Sequence, residues 1–177
     1  TGQVILSGEV SSSSYVDVQN IARDIISSIG YNNSEYKFTG KSCAVMSLIH
    51  EQSEDISRGI VNNIKGEQGS WYQWIMFGYA CNETENAIPL TLEISNEILK
   101  ELSLLRKEKV LDYLSPDSKS QVTIRYDDND NPIMIHTIVL STQHDEFDKD
   151  ENKMLPVIKD DMINKLMPRV INNFPDR

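Results

Sequence analysis

Cysteine is scarce in this 177-residue chain: Cys43 and Cys81 are the whole complement, and they have no CxxC spacing. A disulfide framework or a zinc knuckle is therefore not expected, and both thiols read as small packed hydrophobes. Long apolar runs are missing too. No stretch reaches the roughly 18–20 apolar residues that a bilayer-spanning helix needs, and the opening Thr1-Gly2-Gln3 has no basic, signal-like block. The chain therefore reads as cytoplasmic, with no membrane partner. Basic charge is short: 17 Lys and Arg against 27 Asp and Glu give a net charge of −10, which repels phosphate backbones and argues against nucleic acid as a partner. His50, His136 and His144 are far apart and show no metal-ligand spacing, so no metal-binding residue is assigned. The acidic run at 127–131 lacks the glycine and distal glutamate of a calcium loop and reads as a hairpin turn. There is no internal repeat, and the only biased tract is the serines at 11–14. There is also no initiator methionine, and the strand-like Gln3-Val4-Ile5-Leu6 opens directly, so the chain is expected to be cut from something longer.

What remains is an ordinary globular composition, 39% hydrophobic and 25% charged, sized for one domain or two small lobes sharing a core. After the strand at 3–6, Asp17 can cap a helix whose Ile21, Ile25 and Ile29 form one stripe, with Gly30 as its stop. Residues 42–49 read as a mostly buried strand, and 50–63 as an aperiodic polar loop. The apolar run at 75–80 is too brief for a helix. Pro89 suits the first turn of a helix of about 16–18 residues carrying Ile94, Ile98, Leu102 and Leu105. Val122, Ile124 and Tyr126 alternate with polar neighbours before the turn at 127–131, and 133–140 resumes a strand. Leu155, Ile158, Met162 and Leu166 place a last amphipathic helix before Pro168. Strands and helices alternating around a hairpin predict an α+β fold, with helices packed on one face of a largely antiparallel sheet.

From residue pattern alone, the candidates for chemistry each have two readings. Glu9, after Gly8 at a strand end, could hold a ligand amine, but a solvated strand-end acid is the simpler reading. Asp117-Ser118-Lys119-Ser120 lies in a polar break before a strand, where the lysine could neutralise a phosphate as a point charge or merely sit in a surface turn. Trp71, Tyr72 and Trp74 form either a stacking surface or packed core.

Together, ordered blocks along nearly the whole chain resemble one family. They are Gly8-Glu9-Val10, Val16-Asp17, Ile29-Gly30-Tyr31, Ser42-Cys43-Ala44-Val45, Gln52-Ser53 with Asp55-Ile56, Met76-Phe77-Gly78-Tyr79-Ala80, Asn82-Glu83-Thr84-Glu85, Asp117-Ser118-Lys119-Ser120-Gln121-Val122-Thr123 and Ser141-Thr142-Gln143-His144. The pattern is similar to methionine adenosyltransferases, the S-adenosylmethionine synthetases. The resemblance implies pseudo-threefold α+β domains. Residues 1–72 would be part of one domain ending in a gating loop at 52–62, which contains Asp55, Ile56 and Gly59, and residues 73–177 would form a second. It also implies a reaction of ATP with L-methionine, assisted by Mg2+ and K+, in a homodimer or dimer of dimers. Sulfur would displace triphosphate from the ribose 5′ carbon, so catalysis would rest on alignment and charge stabilisation rather than on a general base. On this likeness Glu9 and Gln52 engage methionine. Asp117, Ser118 and Lys119 contact ATP, with Lys119 as the catalytic cation on the triphosphate.

The chain also departs from the family pattern. A leading His-Pro-Asp-Lys segment and a glycine-rich phosphate-binding third are not in this sequence, and most ligands for the ions would lie there, so the isolated chain is not expected to turn over. Where the family reads Gly-Ala-Gly-Asp-Gln-Gly, this chain reads Gly69-Ser70-Trp71-Tyr72-Gln73-Trp74. Tyr72 thus stands at an aspartate position that contacts substrate. The alternative is a non-catalytic paralogue or accessory subunit that keeps the dimer surface. Val4, Leu6, Val45 and Met46 are expected on an open sheet face that a second subunit covers.

Overall fold

The computed structural model describes residues 2–51 and 77–174. Contacts divide the chain into two units, Thr1–Gly78 and Tyr79–Arg177.

In the first unit, β1 (Gln3–Val10) leads through the polar serines to α1 (Val18–Ile29), and β2 (Ala44–Glu51) follows. Asp17 caps α1 as its sequence predicts: Oδ1 accepts from the Asn20 N–H at 3.0 Å, an interaction worth about 1 kcal/mol. Gly30 ends the helix at φ 122°, and its N–H returns to the Ile26 and Ser27 carbonyls. The strands pair in parallel, Gln3 with Ala44 through Val10 with Glu51. The antiparallel expectation does not hold for this pair, because parallel neighbours need a crossover connection and α1 supplies it. A second correction concerns faces. Val4, Leu6 and Val45 are half-buried rather than open, whereas Ile5 and Met46 are exposed. The predicted stripe of Ile21, Ile25 and Ile29 is also exposed, and Val18, Ala22 and Ile26 are the half-buried apolar positions of α1.

Arg23 fastens α1 to the turn that feeds β2. Its Nη1 donates to the carbonyls of Gly40 and Cys43, each at 2.9 Å. The same contact is close enough that Gly40 has no room for a side chain: a Cβ there would meet the Arg23 carbonyl oxygen at 2.5 Å and also the Ser27 hydroxyl. Cys43 is buried and Cys81 half-buried, both as free thiols.

Among the described residues, the second unit holds nearly all the buried core. α2 (Leu90–Lys107) buries Leu90, Ile94, Ile98, Leu102 and Leu105, which fit the predicted spacing, with Pro89 as the N-cap. β3 (Leu114–Tyr126) and β4 (Pro132–His144) form an antiparallel hairpin. In its turn the Asp127 carboxylate accepts from the Asn131 side-chain amide at Oδ2 and from the N–H groups of Asn131 and Asn129 at Oδ1, and these bonds, the Asn131 side chain's foremost, hold its carboxyl below the usual carboxylate range. α3 (Glu151–Asp161), a π-helical turn (Met162–Leu166) and α4 (Met167–Asn172) close the core with Met154, Ile158, Leu166 and Val170. Leu155, predicted inside, is 70% exposed. Helix also continues past Pro168, which lies in the first turn of α4. Burial repeats at steps of four, and each such step overshoots a 3.6-residue turn by about 40°. The wider π turn, closed by the Met167 N–H on the Met162 carbonyl, takes up that drift where Pro168 cannot donate. Burying residues such as Ile98 and Leu166, both at 0% exposure, stabilises by roughly 1.5–3 kcal/mol each.

Candidate active site

Glu9 lies near the end of β1, exposed, in register with the exposed His50 of β2. Registered residues of parallel strands share a face, so a carboxylate and an imidazole project together from the open side of the first unit. Gln52, the other proposed methionine contact, lies outside the described residues, as do Asp55, Ile56 and Gly59 of the gating loop and Tyr72 between its two tryptophans.

Asp117, Ser118 and Lys119 are not in a break before a strand. They lie inside β3, which starts at Leu114. Strand alternation separates them: Ser118 is half-buried on the side of α2, whereas Asp117 and Lys119 are exposed on the open face. The strand was hidden because its helix-facing positions here are polar. Ser120 bonds Ser95 of α2, with the two hydroxyls 2.6 Å apart and the Ser120 Oγ also donating to the Ser95 carbonyl at 2.7 Å. A hydroxyl pair satisfies the interface without leaving an apolar alternation to read.

Across the hairpin, Lys119 is in register with Ser141, Ser118 with Thr142 and Gln121 with Val139. Regular pairing stops between Ser118 and Leu114, where Pro116 has no N–H to give. The open face thus carries an acid, a cation and a hydroxyl at one end of the strands. A cleft of about 690 Å³ opens at the other end, by the hairpin turn, lined by residues including Leu90, Ile94, Ile124, Ile135 and Phe174. It does not include Asp117 or Lys119.

At that turn end, a tether escaped sequence reasoning altogether. The Glu83 carboxylate accepts from the Leu90 N–H at 3.0 Å and from the Tyr126 hydroxyl at 2.8 Å, joining the start of α2 to the end of β3. Burial, then the bond to Glu83, pushes the Tyr126 phenol up to about 12.

The S-adenosylmethionine synthetase N-terminal domain matches residues 1–54 of this chain, and the central domain of the same enzyme matches residues 67–176. The chain belongs to the S-adenosylmethionine synthetase family. It is 59% identical over 177 residues to the S-adenosylmethionine synthase of Christiangramia forsetii. It is 54% identical over 177 residues to that of Flavobacterium johnsoniae, and 52% over 176 residues to that of Cytophaga hutchinsonii. In each case 99% of this chain is covered, and it spans 42% of the length of the relative. The α+β class agrees with membership of the synthetase family, with its antiparallel pairing carried by β3–β4. No helix among the described residues is long and apolar enough to cross a membrane.

Proposed function

We propose that this chain serves in an S-adenosylmethionine synthetase that joins ATP to L-methionine. What carries the reading is that two successive domains of the enzyme match in order along the chain. The methionine sulfur attacks the ribose 5′ carbon and the S–C bond forms. The C–O bond breaks with its electron pair passing to the triphosphate, which water then splits into phosphate and diphosphate. Sulfur needs no general base, so the protein's part is to align the reactants and to meet the charge that grows on the leaving group. In this reading Lys119 meets that charge, Asp117 contacts ATP from the same face, and Ser118 acts through its backbone or by packing under α2. Glu9 and Gln52 engage methionine, residues 52–62 are the loop that gates the site, and the two domains are 1–72 and 73–177.

Mg2+ and K+ belong to the same proposal. Among the described residues no group of three or more His, Cys, Asp or Glu is arranged to hold a metal ion, and most ligands for the two ions are proposed to lie outside this chain. The working unit is proposed to be a cytoplasmic homodimer or dimer of dimers. The test is Lys119→Ala in protein expressed from the complete reading frame that contains this sequence. Turnover is expected to fall roughly 10²-fold or more with methionine affinity little changed, since the charge develops in the transition state. An unchanged rate would remove Lys119 from the site.

A second reading, a non-catalytic paralogue or accessory subunit, is favoured by Trp71, Tyr72 and Trp74 standing at two glycine positions and one aspartate position of the family pattern. Absence of product from that complete protein, with product appearing once residues 70–74 are restored to Ala-Gly-Asp-Gln-Gly, would select it.

A further inference from the structure

We infer that Ser141 is a second triphosphate-binding group, its hydroxyl holding the same phosphate that Lys119 neutralises. The inference rests on the reading of Lys119 as the triphosphate cation, and it starts from the register of the hairpin. Lys119 and Ser141 are direct cross-strand partners, which sets their Cβ atoms about 5 Å apart on one face. Both are exposed on the open side, away from α2. The Ser141 hydroxyl has no hydrogen-bond partner among the described residues.

A lysine ammonium on its four-carbon stem supplies charge with little direction, so a phosphate held by Lys119 alone could swing. A hydroxyl fixed on the neighbouring strand adds a directed O–H donor, and a bond to an anionic oxygen is among the stronger kinds. Other pairs on this face offer nothing similar. Val139 opposite Gln121 has no donor, and Thr137 opposite Thr123 lies two rungs farther toward the turn. Lys119–Ser141 is thus the pair on the strand that combines a cation with a free hydroxyl.

The experiment uses protein from the complete reading frame, with inorganic triphosphate as the calorimetric probe, and compares Ser141→Ala, Ser141→Thr, Lys119→Ala and the Lys119→Ala/Ser141→Ala double variant. Ser141→Ala is expected to weaken triphosphate binding about tenfold, the worth of one hydrogen bond to an anion, and Ser141→Thr to restore it. In the Lys119→Ala background the serine change should have little further effect, because the two groups hold one phosphate. If Ser141→Ala binds normally while Lys119→Ala is weakened, the inference fails and the reading of Lys119 stands. If neither change matters, the reading of Lys119 falls and takes the inference with it. Equal serine effects in both backgrounds, or a threonine variant as weak as the alanine one, would also overturn it.

Discussion

Replacing Gly40 by alanine would drive a methyl group into α1. The obstacle is the Arg23 carbonyl oxygen, a backbone atom that no rotamer change can move aside. The variant should lose about 1–3 kcal/mol, as overpacked sites do, and its urea midpoint should fall accordingly. Gly78→Ala is the control, because nothing lies within 4 Å of the added carbon. A Gly40→Ala midpoint equal to that of the parent would mean that the close approach is absent in solution. The pattern does not mark Gly40 or Arg23, since a guanidinium reaching carbonyls 17 and 20 positions away has no local signature. The family likeness is what proposes Glu9, Asp117 and Lys119 for the site. What it could not supply is that Ser118 faces the other way, which follows from the strand that the polar positions at 117–120 concealed.

At the scale of elements, the Glu83 tether makes the α2–β3 junction sensitive to alkali. An unfolded tyrosine ionises near pH 10, and Tyr126 in the folded unit does so only at about 12. A raised phenol value means that the neutral form is favoured by folding. The contribution is therefore complete below pH 10 and is lost as pH climbs from 10 to 12, where a phenolate would face the Glu83 carboxylate. Thermal melts should show a decline in that window that is shallower in Tyr126→Phe; identical slopes would show that the pair does not govern it. Long periodic helices such as α2, and the alternation from Val122 to Tyr126, were legible because burial is one-sided there. The π turn was not. Steps of four are compatible with a regular helix over one or two turns, and the wider turn shows only in how Met154, Ile158, Leu166 and Val170 share one side. The parallel pairing of β1 with β2 was equally hidden, since a strand–helix–strand order fixes neighbours less firmly than a tight hairpin does.

On the scale of the molecule, the two units are unequally provided. Cys43 is the one buried hydrophobic residue of the first unit among the described residues, whereas the second buries a continuous cluster. Ile5 and Met46, partners across the parallel pair, stay 57% and 47% exposed, and that face fits the proposed homodimer. Protein from the complete reading frame should scatter as a dimer at micromolar concentration. Met46→Asp should raise its dissociation constant roughly tenfold or more, because covering such a side chain is worth about 1.5–3 kcal/mol. A wild-type monomer would overturn the proposed dimer, and a variant with unchanged mass would place the interface elsewhere.

The same parallel pair also sets an order of events during synthesis. β1 is complete at Val10, but its register partner does not begin until Ala44. A chain growing from its amino end must therefore carry β1 through all the intervening residues before the β1–β2 ladder can form. β3, by contrast, finds β4 after a turn between Tyr126 and Pro132. The later-made half of the chain can thus zip locally by a short loop closure, while the earlier half pays the larger entropy of a long one. During that interval the N–H and C=O groups of β1 that β2 will take up are a template for the wrong strand.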